Sequence, residues 1–200
     1  MFAEVSVEIR EVELIRQTLQ SQKTGSQTHN LVPVVRELPA DLDTPVSVYL
    51  RLAGEGPSFL LESVTGGEQI ARYSFIGVNP KSAYVLRGRS LERHTAGEVT
   101  VDEVPGDTDP LDLLRDELYR YSPVPAPGLP RFIGGLLGYM SYDIVRYFEP
   151  TVPLKPHPDL PDAVFLLVDT LVAFDHAFGR LLLIANAEIP PDDGEQARAE

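Results

Sequence analysis

An acidic residue beside a hydroxyl closes the apolar run Phe59-Leu60-Leu61-Glu62-Ser63; after Gly66-Gly67 the chain continues as Arg72-Tyr73-Ser74-Phe75-Ile76-Gly77. Those residue types suit one chemistry in particular, the capture of a small zwitterion. An amino-acid ligand needs balanced polar contacts for its ammonium and carboxylate together with an apolar enclosure for its side chain. Glu62 can meet an ammonium, while Ser63 and neighbouring amides can orient the rest. In a regular strand the two side chains point to opposite faces, so a strand end or glycine-assisted bend must turn them toward one ligand. The same residues also read as a polar strand end running into a loop, and local chemistry taken alone favours that structural reading.

Other chemistries fail at the level of pattern. His29, His94, His157 and His176 form no His-Glu-x-x-His site and show no zinc spacing. Neither Ser63 nor Ser74 occupies a Gly-x-Ser-x-Gly elbow, and no carboxylate pair is marked for glycosidase work, which depends on separation in space. The run Phe132-Ile133-Gly134-Gly135-Leu136-Leu137-Gly138-Tyr139-Met140-Ser141-Tyr142-Asp143 lacks the nucleotide-binding glycine spacing, so its glycines are read as devices for close sheet packing. With no cysteine the chain has neither disulfide nor thiol nucleophile, as suits a reducing cytoplasm. Its 17 basic and 30 acidic residues, a formal charge of -13, argue against nucleic acid or anionic lipid as partners. Met1-Phe2 leads into Glu4, Glu8 and Glu11 without a basic region and long apolar run, so neither signal peptide nor membrane span is expected.

Holding the Glu62 region requires strands and turns, and the chain supplies them. Ser6 to Leu19 places Ile9, Val12, Ile15 and Leu19 near a helical period, and the polar stretch Gln20 to Asn30 reads as a connection. Leu31 to Val35 predicts a strand. Thr44 predicts the cap of a helix opening at Pro45, with Val46, Tyr49, Leu50 and Ala53 facing inward. Phe59 to Ser63, Ile70 to Ile76 and Ala83 to Leu86 predict the strands of a meandering sheet, with a later edge from Val99 to Val104. Asp109 and Pro110 open a helix with Leu111, Leu114, Leu118 and Tyr121 inward and Arg115, Asp116, Glu117 and Arg120 outward. Ser122 to Pro130 carries four prolines and reads as a surface connection. Ile144, Val145 and Phe148 give a short helical face. Ala163 to Ala173 and Arg180 to Ala187 predict paired strands turning at Asp175 to Gly179. Pro190 to Gly194 then interrupts, and Glu195 to Glu200 only begins a helix, so the chain is expected to stop before its architecture is complete.

In combination, Phe59 to Ser63, Arg72 to Gly77, and Phe132 to Tyr139 with Tyr142-Asp143 resemble the amino-terminal part of the anthranilate synthase large subunit, a chorismate-utilising family. The resemblance covers most of residues 31–190. It implies an α+β fold of antiparallel sheets with packed helices, partly completing the sheets of a larger catalytic portion. The implied organisation is an amino-terminal helix and connection at 1–30, a regulatory and structural domain at 31–190, and the start of a continuation at 191–200. Leu61, Glu62 and Ser63 carry over onto the family's tryptophan-binding segment; Arg72, Tyr73 and Ser74 are neighbouring candidates, and Gly134, Gly135 and Gly138 serve packing. The resemblance further implies a cytoplasmic lyase of tryptophan biosynthesis that makes anthranilate and pyruvate from chorismate and ammonia. Magnesium would sit in the carboxy-terminal portion, a glutamine amidotransferase small subunit would supply ammonia, and tryptophan would inhibit. No catalytic or metal-binding residue is assigned within these 200 residues, which alone are predicted inactive. The large subunit of aminodeoxychorismate synthase shares the architecture, and a noncatalytic amino-acid sensor or interaction module that kept the pocket is the alternative of another class.

Overall fold

Short β-branched and aromatic runs punctuated by two-residue turns dictate antiparallel pairing, and the computed structural model is built from two such sheets. It describes residues 29–62, 72–106, 108–149, 151–153, 157 and 159–189. The helix expected at 6–19, most of the polar connection, Ser63 to Ala71 and the final stretch lie outside the described residues. The elements in order are β1 (Leu31–Pro39), α1 (Pro45–Leu52), β2 (Ser58–Leu61), β3 (Tyr73–Val78), β4 (Ser82–Arg87), β5 (Ser90–Thr95) and β6 (Glu98–Glu103). There follow α2 (Pro110–Tyr119), β7 (Gly135–Met140), a 3-10 turn (Tyr142–Ile144), α3 (Val145–Phe148), β8 (Ala163–Val168), β9 (Thr170–Asp175) and β10 (Arg180–Glu188). The fold class is α+β.

The first sheet runs β1-β10-β9-β3-β2 and the second β6-β5-β4-β8-β7, with every ladder antiparallel. Strand alternation gives the first sheet two apolar faces. Leu60, Ile76, Val172, Phe174, Leu181 and Leu183 pack with Val48, Tyr49 and Leu52 of α1. Phe59, Phe75, Leu171, Leu182 and Ile184 pack on the other side with Phe132, Ile133, Leu137 and Val168. Ile76, Leu182 and Ile184 are almost completely removed from water, each contributing roughly 1.5–3 kcal/mol of transfer free energy before entropy is counted. Helix α2 and Ile144 cover the second sheet through Leu114, Tyr84, Leu86, Leu91 and Leu167.

Several expectations change in three dimensions. The anticipated meander is divided: β3 belongs to the first sheet and β4 to the second. The single apolar strand read from Ala163 to Ala173 is two strands in different sheets, parting at Asp169. The polar pair Asp169-Thr170 is the one break in that apolar run and falls at the crossing, but a polar pair inside a strand reads equally well as a solvent-facing position of one continuous strand. Asn186 secures it, donating its backbone N–H (2.9 Å) and side-chain amide (3.0 Å) to the Asp169 carbonyl and the same amide to the Ile133 carbonyl (2.6 Å). β5 escapes an apolar-pattern reading because Leu91 is its sole large aliphatic residue; its signal is the Ala96-Gly97 turn, with φ of 39° and 90° at the two central positions. Thr44 and Ser47 cap α1 reciprocally, as a hairpin of side-chain and backbone bonds (3.1 and 2.9 Å). Its inner face, however, is Pro45, Val48, Tyr49 and Leu52, while Val46 and Leu50 are exposed. In α2, Glu117 is buried against Arg93 (3.0 Å) rather than solvated, and Leu118 is partly exposed.

Gly138 within β7 and Gly134 just before it act by close packing, whereas a Cβ on Gly135 would meet only Leu118 at 3.7 Å, so the packing role expected of Gly135 gives way to its positive φ of 125°. A Cβ on Gly138 would intrude on the Val164 carbonyl oxygen and lie 2.7 Å from Phe165 Cα; one on Gly134 would lie 2.8 Å from the Val168 carbonyl oxygen.

Candidate functional site

β2 and β3 form a hairpin at the edge of the first sheet, which brings the candidate residues to one end of that sheet. Leu61 is the last residue of β2, lies directly opposite Phe75, and keeps 43% of its surface exposed. Glu62 follows it and is exposed. Ser63 lies outside the described residues. On the returning strand, Arg72 immediately precedes β3, Tyr73 is half-buried, and Ser74 is fully buried. Leu61 and Tyr73 share the face that carries Phe59 and Phe75, whereas Ser74 points to the opposite face with Ile76.

A second turn, between β9 and β10, meets this end from the other side of β3. Asp175 sits opposite Tyr73 in the ladder and is completely buried. Its carboxylate accepts a two-pronged bond from Arg72, Nε at 3.0 Å and Nη2 at 2.9 Å, and further bonds from Arg180 Nε and the Ala177 N–H, both at 3.3 Å. Burial pushes the Asp175 pKa upward, but the guanidinium bonds, Arg72's first, outweigh it and hold the group below the ordinary aspartate range. Arg72 answers with a raised pKa, chiefly through the same hydrogen bond. The Arg72 guanidinium also lies 4.8 Å from the Tyr73 ring centroid and 5.0 Å from that of Phe178, while Arg180 lies 5.1 Å from Phe178. Arg180 continues to Glu37 of β1 at 2.8 Å.

His176 completes the join. Its N–H donates to the Arg72 carbonyl (2.9 Å), its Nε2 lies 2.8 Å from Ser74 Oγ, and its ring stacks on Phe174 with centroids 4.8 Å apart. From sequence, Asp175, His176 and Phe178 are turn residues and nothing more; the one signal of a larger role is an Asp-His pair ending an apolar run beside a glycine turn. Leu61 lies opposite Phe75 on the face that Tyr73 shares, Glu62 follows it exposed, and Ser74 faces the other way with its hydroxyl engaged by His176.

A cavity of about 110 Å³ lies elsewhere, lined by Leu31, Leu118, Tyr121, Ile133, Gly134 and Asn186 among others; none of the six candidate residues lines it. Among the described residues no group of three or more His, Asp or Glu side chains is arranged as metal ligands, and no helix is long and apolar enough to cross a membrane.

Several curated proteins similar to this chain bear the name anthranilate synthase component 1. The chain is 39% identical over 179 residues to anthranilate synthase component 1 of Pseudomonas putida, an alignment covering 86% of this chain and 36% of that protein. This chain is a relative of anthranilate synthase component 1. The probable anthranilate synthase component 1 of Schizosaccharomyces pombe is 42% identical over 160 residues, covering 78% of this chain and 29% of its own length. That of Neisseria gonorrhoeae is 40% identical over 185 residues, covering 88% of this chain and 37% of its own. The chain thus spans about a third of the length of these curated anthranilate synthase component 1 proteins. No family model matches it. A crystal structure of anthranilate synthase component I from Streptococcus pneumoniae TIGR4 compares with a TM-score of 0.47 at 22% identity, covering 88% of this chain and 35% of that one.

Proposed function

We propose that this chain is the amino-terminal part of an anthranilate synthase large subunit and contributes to feedback inhibition by tryptophan. The identity of 39–42% to proteins of that name, spanning more than three quarters of the chain, carries the assignment. The hairpin end supports the regulatory role: Glu62 offers an accessible anion to an ammonium, while Leu61 and Tyr73 offer apolar surface to a side chain. The intact cytoplasmic complex converts chorismate and glutamine-derived ammonia to anthranilate and pyruvate. A glutamine amidotransferase small subunit supplies the ammonia. Magnesium, as the family resemblance implies, would be held by the carboxy-terminal catalytic portion.

The test uses the complete polypeptide with chorismate, magnesium and an ammonium salt, following anthranilate by its fluorescence while L-tryptophan is titrated in. Anthranilate formation suppressed by tryptophan is the expected result. Aminodeoxychorismate or isochorismate as product overturns the assignment, and anthranilate synthesis indifferent to tryptophan overturns the regulatory part.

A further inference from the structure

We propose that Asp175 is the positioning residue of the hairpin end, fixing the Arg72 guanidinium where the chain enters β3 without itself touching the ligand. This rests on the reading of that end as the tryptophan site. β2 is the outermost strand of its sheet among the described residues, so β3 is gripped from one flank by that edge strand and from the other by β9. The start of β3 is held from the β9 side: the Arg72 guanidinium by the Asp175 carboxylate, the Arg72 carbonyl by the His176 backbone N–H, and Ser74 by His176 Nε2.

A buried carboxylate is tolerated only when its charge is met, and Asp175 meets two guanidinium groups. Through them it ties four strand ends together: β3 by Arg72, β10 by Arg180, β9 by its own backbone, and β1 by the Arg180 bond to Glu37. Phe178 lies against both guanidinium groups and adds a planar stop that neither hydrogen-bond pattern supplies. The paired geometry fixes the plane of the Arg72 fork, and hence the entry of the chain into β3 at the residues facing the ligand. An amide at position 175 keeps the shape but turns an NH2 group toward a guanidinium, which removes the two-pronged bond.

The experiment measures L-tryptophan binding by calorimetry, its inhibition constant, and kcat/KM for chorismate in the complete polypeptide. The variants are Asp175→Asn, Phe178→Ala and the two combined, with Leu114→Val in the second sheet as a control for general destabilisation. Asp175→Asn is expected to weaken tryptophan binding at least about fivefold, in the range of ordinary couplings between sites, with kcat/KM within about twofold. Phe178→Ala, which leaves no charge unpaired, should weaken it by about two- to fivefold, and the double variant should add little to Asp175→Asn because both act on one guanidinium stack. If Asp175→Asn does not fold, Phe178→Ala decides. Tryptophan binding unchanged in the variants, with the unaltered protein still inhibited, overturns the positioning role alone. A parallel fall in tryptophan binding and kcat/KM, or an equal loss in Leu114→Val, overturns it as a mere stability effect. Failure of the unaltered protein to bind tryptophan overturns the site reading and this inference with it.

Discussion

Glu62 and Asp175 are two carboxylates a strand apart with opposite surroundings, and those surroundings give them separate work. Glu62 is exposed, so Glu62→Gln removes a charge without disturbing packing. A charge-assisted hydrogen bond is worth about 1.5–3 kcal/mol, so the tryptophan inhibition constant should rise roughly tenfold or more while thermal stability stays nearly constant. An unaltered inhibition constant would take Glu62 out of the site. Asp175 is buried, and its pKa in the folded protein lies below its ordinary value of about 3.8. A depressed carboxylate stabilises the fold above its unfolded pKa, and that stability is lost as pH falls through the folded one. Urea midpoints measured downward from about pH 5 should therefore decline, and less steeply in Asp175→Asn. Parallel curves for the two proteins would show that Asp175 carries none of the acid sensitivity. Glu62 was legible in the sequence as a polar residue ending an apolar run; Asp175 was not, since a turn aspartate looks the same whether solvated or enclosed by two arginines.

Strand β7 depends on atoms it lacks. Its neighbour β8 runs so close at Gly138 that any side chain meets backbone rather than a movable side chain. Gly138→Ala should cost about 1–3 kcal/mol in urea unfolding, whereas Gly54→Ala, with nothing within 4 Å of the added carbon, should change stability by no more than about 0.5 kcal/mol. Similar midpoints for the two variants would refute the packing role. The glycine-rich run announced this element by composition. The edge hairpin was announced by its flanking glycines, but the exact strand ends, Leu61 and Tyr73, were set by pairing with β3 and β9.

At the scale of the molecule, the two sheets share the segment Ala163 to Asp175, which leaves one sheet and joins the other at Asp169. The relatives named anthranilate synthase component 1 are about three times as long as the stretch they share with this chain. On the proposed division of roles, these 200 residues alone should form no anthranilate, even with chorismate, magnesium and abundant ammonium, because positioning of the reacting groups and metal coordination belong to the remainder. Turnover by the purified 200-residue chain would refute that division. The sequence by itself determined the element types wherever a local rule applies: the Thr44 cap with Pro45, the Asp109 cap with Pro110, and the β9 to β10 turn. Local rules act over a few residues, because capping and turn geometry satisfy backbone groups close by in the chain. Which sheet each strand joins, and that Asp175 lies between Arg72 and Arg180, was decided only by the tertiary structure. Arg72 and Asp175 are 103 positions apart, and no periodicity within either strand records a partner so distant.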